Sequence, residues 1–375
     1  MFPTSIRCST ISDDIRATAD CLNSLGAHIT RTDDLFHVIP IAEARKNAVI
    51  DCGESGSTLR FLLPVISALG TDTEIRMHGR LPERPLSPLQ EELIRHGASI
   101  ARLSQNTIRV SGKITGGEFR LAANVSSQFI SGLLFALPLT AQPSDIILSG
   151  DPESASYVKM TLQAIDRFGI HWEEKSFGYS LRDKASYHSP QDITIVEGDW
   201  SNAAFWICAD RVLGGTLSVS GLDPDSSQGD RAVERVSLRI AAGSAVVDCR
   251  DIPDLVPVLS VLAAVSPGQT KFINAGRLRI KESDRLSATF SLLTALGGVV
   301  EELEDGLIVT GRPGLRGGEV YSANDHRIAM SAAVASLACS EPVIIHDAEA
   351  VNKSYPEFWK DFSRLGGNVT LEEEA

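Results

Sequence analysis

The chain has 375 residues, of which 43% are hydrophobic and 22% are charged, and its formal net charge is −13. These values are typical of a globular protein long enough for two domains, each with its own core. The sequence contains neither a run of about 18 apolar residues nor a secretion signal, so we expect a cytoplasmic protein without a membrane span. The acidic balance argues against nucleic-acid binding, although a local cluster of Arg and Lys can still bind a small anion.

A helical pattern with apolar residues at every third or fourth position recurs along the chain, and each copy ends at a glycine. The first copy carries Ile15, Ala19, Leu22 and Leu25 on one side. This spacing predicts helices with one core-facing side, and a glycine suits the left-handed residue that follows a helix. The copies end at Gly26, Gly97, Gly169, Gly243, Gly297 and Gly366.

A second and more apolar helical pattern alternates with the first, and short β-like runs such as 107–110 and 192–196 lie between them. Most copies of either pattern are about 70 residues apart, which predicts an α/β fold built from six repeats. The second pattern begins near Gly56, Ser127, Ser201, Asp254 and Asp325. With six copies of the first pattern and five of the second, we expect the missing copy to fall before Met1.

Several helices of the second pattern begin with Ser, Gly or Asp, which are common capping residues. The N-terminus of a helix carries partial positive charge and free backbone N–H groups, so it binds phosphate well. If several such ends meet in one cleft, they form a site for a substrate with more than one anionic group.

Charged clusters precede two of the apolar helices. In the stretch 277–285, Lys281 and Arg285 are four residues apart, so we expect them to share a helix face beside Glu282. The simpler alternative is a solvated helix start with an acidic first turn. The second cluster is 324–327, where Asp325 could be only a cap beside an exposed Arg327.

Two further clusters contain candidate binding residues. Arg84 is followed by a proline, and Pro82 precedes it by two residues, so the loop that carries this arginine is stiff. Ser126, Ser127 and Gln128 give three hydrogen-bonding side chains at one helix start, more than capping alone explains.

Six cysteines are scattered along the chain without a C-x-x-C pair or a nearby His cluster. This spacing is typical of buried thiols, so we predict no bound metal.

Taken in order, these stretches resemble the enolpyruvyl transferases, and specifically the EPSP synthase family. The resemblance covers nearly the whole chain, from about residue 13 to residue 362. The stretches that carry it are G-E-S-G-S-T-L-R-F-L-L-P (53–64), R-L-P-E-R-P-L (80–86), S-S-Q-F (126–129), E-G-D-W-S-N-A (197–203), I-P-D (252–254), R-I-K-E-S-D-R-L (279–286), N-D-H-R-I-A-M (324–330) and N-K-S-Y-P (352–356).

The resemblance implies transfer of the enolpyruvyl group of phosphoenolpyruvate to the 5-hydroxyl of shikimate 3-phosphate by addition and elimination, with no metal or organic cofactor. It implies that Asp254 and Glu282 are the catalytic carboxylates. It assigns phosphoenolpyruvate to Gly56, Arg84, Arg285, Arg327 and Lys353. It assigns shikimate 3-phosphate to Ser126, Ser127, Gln128, Ser154, Tyr157, Asp254 and Lys281. We expect a monomer.

The resemblance also implies two domains, each built from three βαβαββ repeats, which close over the substrates. We place them at residues 1–196 and 197–375. The first domain lacks its N-terminal helix, and the second lacks the N-terminal strand of the family. Closure would bring Arg84 and Ser127 of one domain against Glu282 and Arg327 of the other.

The family's G-S-K-S-x-x-x-R-A-like segment, with a lysine that contacts both substrates, is not found in these 375 residues. We therefore expect them to have little or no transferase activity alone, either because they are a fragment or follow a misplaced start codon of a longer gene, or because the protein itself is truncated. One alternative is an inactive or ligand-binding remnant of the enzyme. Another is a UDP-N-acetylglucosamine 1-carboxyvinyltransferase, but the loop 71–88 lacks the cysteine of that family.

Overall fold

The apolar residues of the chain gather into two separate hydrophobic cores. In the computed structural model, which describes residues 2–122, 125–150, 154–182 and 185–372, each core lies in its own compact unit. The first unit comprises residues 1–10, 14–197 and 223–229, and the second comprises residues 11–13, 198–222 and 230–375. Among the described residues, no helix is long and apolar enough to cross a membrane.

The helices alternate between the two sequence patterns in chain order. They are α1 (Asp13–Leu25), α2 (Gly56–Leu69), α3 (Leu89–Arg95), α4 (Ser127–Ala136), α5 (Ala155–Asp166), α6 (Trp200–Leu213), α7 (Val233–Ala241), α8 (Val256–Val265), α9 (Arg285–Ala295), α10 (His326–Ser336) and α11 (Phe358–Arg364). Short 3-10 helices lie at Gly229–Ala232, Pro253–Leu255, Gly276–Ile280 and Ala348–Lys353.

The strands form small mixed sheets. Those of the first unit are β1 (Thr4–Arg7), β2 (His28–Thr32), β3 (Leu35–Ile39), β4 (Ala48–Asp51), β5 (Thr73–Arg76), β6 (Ala98–Ser104), β7 (Thr107–Gly112), β8 (Gly117–Ala122), β9 (Ser144–Ser149), β10 (Glu173–Lys175), β11 (Gly178–Leu181) and β12 (Thr194–Ile195). Those of the second unit are β13 (Ala245–Asp248), β14 (Gln269–Ile273), β15 (Val299–Leu303), β16 (Gly306–Thr310), β17 (Gly318–Tyr321) and β18 (Val343–His346).

Within the described residues, four sheets share one connectivity, which confirms the repeat. Their orders are β4-β5-β7-β6, β8-β9-β11-β10, β13-β14-β16-β15 and β12-β1-β3-β2. In each, the first two strands are parallel and the remaining pairings are antiparallel. In the last sheet, β12 takes the place of a first strand although it lies far along the chain from β1.

Hydrophobic pattern decides how deeply each helix is buried. Helix α8 is apolar on every side, and all its residues except Val265 are buried. Helix α7 is amphipathic and buries only Val233, Val236, Ser237 and Ile240. The second helical pattern therefore forms the interior of each repeat, and the first forms its outer side.

Helix α1 departs from the expected pattern. Its second half packs in the core through Cys21 and Leu25, and the Cys21 thiol donates to the Asp51 carbonyl over 3.1 Å. Ile15 was expected on the core-facing side, but it is 37% exposed. The expectation was wrong there because the described core contacts involve only the last turns of this helix.

All six glycines expected after the helices have positive φ, from +79° at Gly297 to +136° at Gly243. The left-handed region costs glycine little because it has no Cβ, so these helix ends are confirmed. Four of the six cysteines are buried, and all six carry free thiols.

Gly132 shows why the interior helices α2 and α4 approach closely. A Cβ built on this residue would lie 2.3 Å from the Arg60 carbonyl oxygen, which is backbone of α2 and has little room to move. A side chain at Gly132 would therefore push the two helices apart.

We predict that Gly132→Ala destabilises the protein by about 1–3 kcal/mol through this overlap. Glycine-to-alanine changes inside a helix normally stabilise by about 0.5–1 kcal/mol, so the sign of the effect is itself the control. Urea denaturation of the wild type and of Gly132→Ala measures the change in the free energy of unfolding. A variant as stable as the wild type, or more stable, would contradict the close approach of α2 and α4.

Candidate active site

In the second unit, three of the expected site residues lie at the starts of three helices. Asp254 belongs to the 3-10 helix before α8, Glu282 precedes α9, and Arg327 lies in the first turn of α10. Helices α8, α9 and α10 each connect two strands that run parallel in one sheet. Their N-termini therefore lie at the carboxyl edges of these strands, where α/β folds commonly bind ligands.

Arg285 connects these helix starts. It is the first residue of α9 and is 2% exposed. Its guanidinium donates over 2.7 Å to each of three carboxylates, from Asp254, Glu282 and Asp325. The carboxylates raise the pKa of Arg285 by more than burial lowers it, so the cation is permanent. An anionic ligand must compete with these three carboxylates for Arg285.

Asp254 is surrounded by cations. Besides Arg285, the Arg327 guanidinium lies 3.2 Å and the Lys281 amine 3.9 Å from its carboxylate. Burial raises the pKa of Asp254, but Arg327, Lys281 and Arg285 lower it by more, so the carboxyl is ionised at neutral pH. Burial lowers the pKa of Lys281 to about 8, against the attraction of Asp254 and Glu282.

Lys281 reaches this cluster in a different way from the one expected. The sequence predicted that Lys281 and Arg285 share a helix face, but α9 begins only at Arg285. Lys281 lies in extended backbone before the helix, with φ −85° and ψ −156°. The predicted shared face was wrong because Asp284, not an earlier residue, caps α9 by accepting from the Ser287 N–H. Lys281 and Arg285 nevertheless lie beside one carboxylate, that of Asp254.

Two buried titratable residues beside this cluster were not among the expected site residues. Burial raises the pKa of Asp230 to about 7, with Asp254 adding to the effect. One Asp230 oxygen accepts from the Ser201 hydroxyl, while Oδ1 has no hydrogen-bond partner among the described residues. Burial lowers the pKa of His326 to about 3, so its imidazole is neutral. No sequence pattern marked Asp230, because it follows a polar run that gives no sign of burial.

Lys353 ends the 3-10 helix Ala348–Lys353, which packs against α10. It is 9% exposed. A cation this deeply buried is stabilised by opposite charge, so Lys353 is suited to hold an anion.

In the first unit, the start of α2 places two arginines around a glycine. A Cβ on Gly56 would lie 2.7 Å from Arg84 Nη1 and 2.9 Å from Arg60 Nη1. Arg60 is 4% exposed and donates over 2.8 Å to the Gln128 side-chain oxygen at the start of α4. The sequence reasoning missed Arg60, although an arginine within the apolar run 59–64 is a signal for a buried polar role.

The starts of α4 and α5 carry the remaining expected residues. Ser126 precedes α4 without a side-chain cap bond, Ser127 is buried, and Ser154 precedes α5 with a φ of +54°. Both helices connect strands that run parallel, so they point the same way and their N-termini lie at one side of the sheet. The Ser131 and Thr161 hydroxyls are 2.7 Å apart and join the helices, one turn after Ser127 and Tyr157.

The structure therefore forms two groups of expected residues. Asp254, Lys281, Glu282, Arg285 and Arg327 are linked by direct contacts in the second unit. Those of the first unit are distributed over the N-termini of α2, α4 and α5 and the Arg84 loop. In the described ranges, no group of three His, Cys, Asp or Glu side chains is arranged to hold a metal ion.

Solved structures identify the fold. EPSP synthase from Acinetobacter baumannii matches with a TM-score of 0.77 and 22% identity, covering 97% of this chain and 90% of that one. The enolpyruvyl transferase NikO from Streptomyces tendae matches with a TM-score of 0.72 and 17% identity, covering 98% and 90%. The fold is that of the enolpyruvyl transferases.

Sequence comparison identifies the family. Residues 3–362 match the family EPSP synthase (3-phosphoshikimate 1-carboxyvinyltransferase). The 3-phosphoshikimate 1-carboxyvinyltransferase of Clostridium botulinum strain Eklund 17B is 41% identical, over 97% of this chain and 89% of that protein. That of Clostridium perfringens strain ATCC 13124 is 42% identical, over 95% and 88%. The chain belongs to the EPSP synthase family of enzymes. These matches favour that family over the UDP-N-acetylglucosamine 1-carboxyvinyltransferases.

Replacing Arg285 with Met keeps much of the volume but leaves three carboxylates without their shared cation, so we expect a loss of about 3–5 kcal/mol in the free energy of unfolding. The control is Arg250→Met, which removes an exposed pair with Asp248 at 2.7 Å and should cost about 0–1 kcal/mol. Equal effects of the two variants in denaturant titrations would refute the central role of Arg285.

Asp230 and His326 make the free energy of unfolding depend on pH. The folded pKa of Asp230 is raised from 3.8 to about 7, so its contribution to stability falls as pH rises through this range. The folded pKa of His326 is lowered from 6.5 to about 3, so its contribution rises with pH between these values. Between pH 4 and 6.5 the two trends oppose each other.

Asp230→Asn should therefore make the unfolding free energy rise more steeply with pH over this window, by up to about 1.4 kcal/mol per pH unit. His326→Gln should change the slope by a similar amount in the opposite direction. Denaturant titrations at several pH values measure both slopes. Two variants with the wild-type slope would show that neither residue has a shifted pKa.

Proposed function

We propose that this chain transfers the enolpyruvyl group of phosphoenolpyruvate to the 5-hydroxyl of shikimate 3-phosphate and releases phosphate, as part of the shikimate pathway toward chorismate and aromatic amino acids. The family match over residues 3–362 carries this proposal. The cluster around Asp254 supports it, because three cations and two candidate proton-transfer carboxylates suit two anionic substrates.

In the proposed reaction, the 5-hydroxyl oxygen attacks C2 of phosphoenolpyruvate while C3 of the methylene group takes a proton. The tetrahedral intermediate then loses phosphate and a C3 proton, which restores the double bond. The chemistry needs a base for the hydroxyl proton and an acid for the carbon. We assign the base to Asp254, which is ionised, and the acid to Glu282.

The cations around Asp254 explain how such an ionised carboxylate can act as a base. A carboxyl with a strongly lowered pKa binds protons poorly. When the anionic groups of the substrates associate with Arg327 and Lys281, they neutralise the charges that lower the pKa of Asp254. Substrate binding would therefore raise the basicity of Asp254 at the moment when the hydroxyl proton must leave.

Anion binding is proposed for the remaining expected residues. Arg84, Arg285, Arg327 and Lys353, with Gly56, are assigned to phosphoenolpyruvate, because arginine forks match carboxylate and phosphate groups. Ser126, Ser127, Gln128, Ser154, Tyr157 and Lys281 are assigned to shikimate 3-phosphate, whose phosphate suits helix N-termini. A monomer in the cytoplasm stays part of the proposal, and sedimentation of the purified chain tests the oligomeric state.

We predict that Asp254→Asn and Glu282→Gln each lower product formation by about 100-fold or more, because each keeps the side-chain shape but removes proton transfer. Glu301→Gln, an exposed carboxylate of the same unit, is the control and should leave the rate unchanged. Product formation is measured by mass spectrometry.

Calorimetry with each substrate separates the alternatives. Binding of shikimate 3-phosphate without product formation would favour a ligand-binding remnant over an enzyme. Wild-type rates in both carboxylate variants would refute the assignment of Asp254 and Glu282.

A further inference from the structure

Arg279 joins the segment that carries Lys281 and Glu282 to a neighbouring hairpin. It lies in the 3-10 helix Gly276–Ile280, and its guanidinium faces the turn between β15 and β16. Nη1 donates to the Glu302 carboxylate over 2.7 Å, Nη2 to the Leu303 carbonyl over 2.7 Å, and Nε to the Glu304 carbonyl over 3.0 Å. Two of these partners are backbone groups, so the contact fixes the hairpin itself.

The same guanidinium also contacts the start of α9. Nη1 donates over 2.9 Å to Asp284, whose carboxylate caps α9 by accepting from the Ser287 N–H. The Ser287 hydroxyl donates to Glu302 over 2.7 Å, which closes the network. The hydrogen bonds that Arg279 donates to Glu302 and Asp284 raise its pKa, although burial opposes them, so its charge is permanent.

These contacts fix both ends of the segment 280–283. Arg279 lies immediately before it and Asp284 immediately after it, and the two side chains are joined to each other. The segment forms no helix or strand after Ile280, so no backbone ladder holds it. Lys281 and Glu282, which lie inside this closed loop, contact Asp254 and Arg285. Arg279 contacts none of the proposed site residues among the described parts of the chain.

We infer that Arg279 is a positioning residue, which holds Lys281 and Glu282 in the geometry needed for the proposed transfer reaction. This inference rests on the proposed function. Arg279 acts through the loop it closes and not by touching a substrate. Because both ends of the segment 280–283 are held, its backbone loses conformational freedom, and the Lys281 amine and the Glu282 carboxylate stay close together.

The competing explanation is that Arg279 only stabilises the fold. Its side chain is 29% exposed and its carboxylate partners are partly exposed. Exposed ion pairs contribute little to stability. The forked contacts with two carbonyls and two carboxylates are more specific than such a pair. The test must therefore report on Lys281 itself as well as on stability.

Competitive acetylation followed by mass spectrometry measures the pKa and reactivity of Lys281 in the folded protein without substrate. The charged groups that face this amine are Asp254, Glu282, Arg285 and Arg277. In Arg279→Ala we expect the pKa of Lys281 to rise from about 8 toward its ordinary 10.5, because the released segment admits water. Arg279→Lys keeps the charge but loses the fork and should give an intermediate shift.

The matched control is Arg312→Ala. Arg312 donates over 2.7 Å to the Gly297 carbonyl and so joins the far ends of β16 and α9. Its loss should leave the Lys281 titration unchanged. Unchanged titration in folded Arg279→Ala would overturn the inference. If Arg279→Ala does not fold, Arg279→Lys decides in the same way.

Kinetics supply the second measurement. Arg279→Ala should lower kcat/KM by about 10- to 100-fold, whereas Arg312→Ala should not change it. If the wild-type chain forms no product, the proposed function fails, but the acetylation result still decides whether Arg279 holds Lys281. An equal kinetic loss in both variants would show that Arg279 is only structural.

Discussion

The second unit depends on one buried guanidinium. A charge taken out of water is tolerated only when opposite charges surround it at hydrogen-bond distance, and Arg285 meets this requirement with Asp254, Glu282 and Asp325. These carboxylates come from three different helix starts, so satisfying Arg285 fixes how α8, α9 and α10 meet. The same bonds bring together the residues to which catalysis is assigned, since Asp254 and Glu282 are both partners of Arg285.

The repeat explains why polar groups gather at these places. In the interior helices α2, α4, α8 and α10, charged side chains occur only within the first two turns, at the edge of a sheet. The first unit uses the same arrangement with different groups. Arg60 of α2 bonds to Gln128 at the start of α4, and glycines at positions 56 and 132 provide the space for this close packing.

The titration behaviour of the site follows from burial acting on groups of different sign. Asp254 stays ionised because cations outweigh its desolvation, whereas Asp230, with fewer favourable partners, has a pKa of about 7. His326 is neutral for the same reason that Asp230 is easily protonated, since the surroundings disfavour any uncompensated charge. Binding of anionic substrates would alter this balance first at Asp254, which depends most on neighbouring cations.

The sequence by itself determined the repeat, the two kinds of helix and their ends, because periodicity, apolar content and glycine at positive φ act locally. It also determined the family, through ordered stretches such as 279–286 and 324–330. Only the tertiary structure decided that β12 completes the sheet of β1, and that Asp230 and Arg60 are buried beside the expected residues. These features arise from packing between segments far apart in the chain, and local patterns carry no information about which distant groups share one buried space.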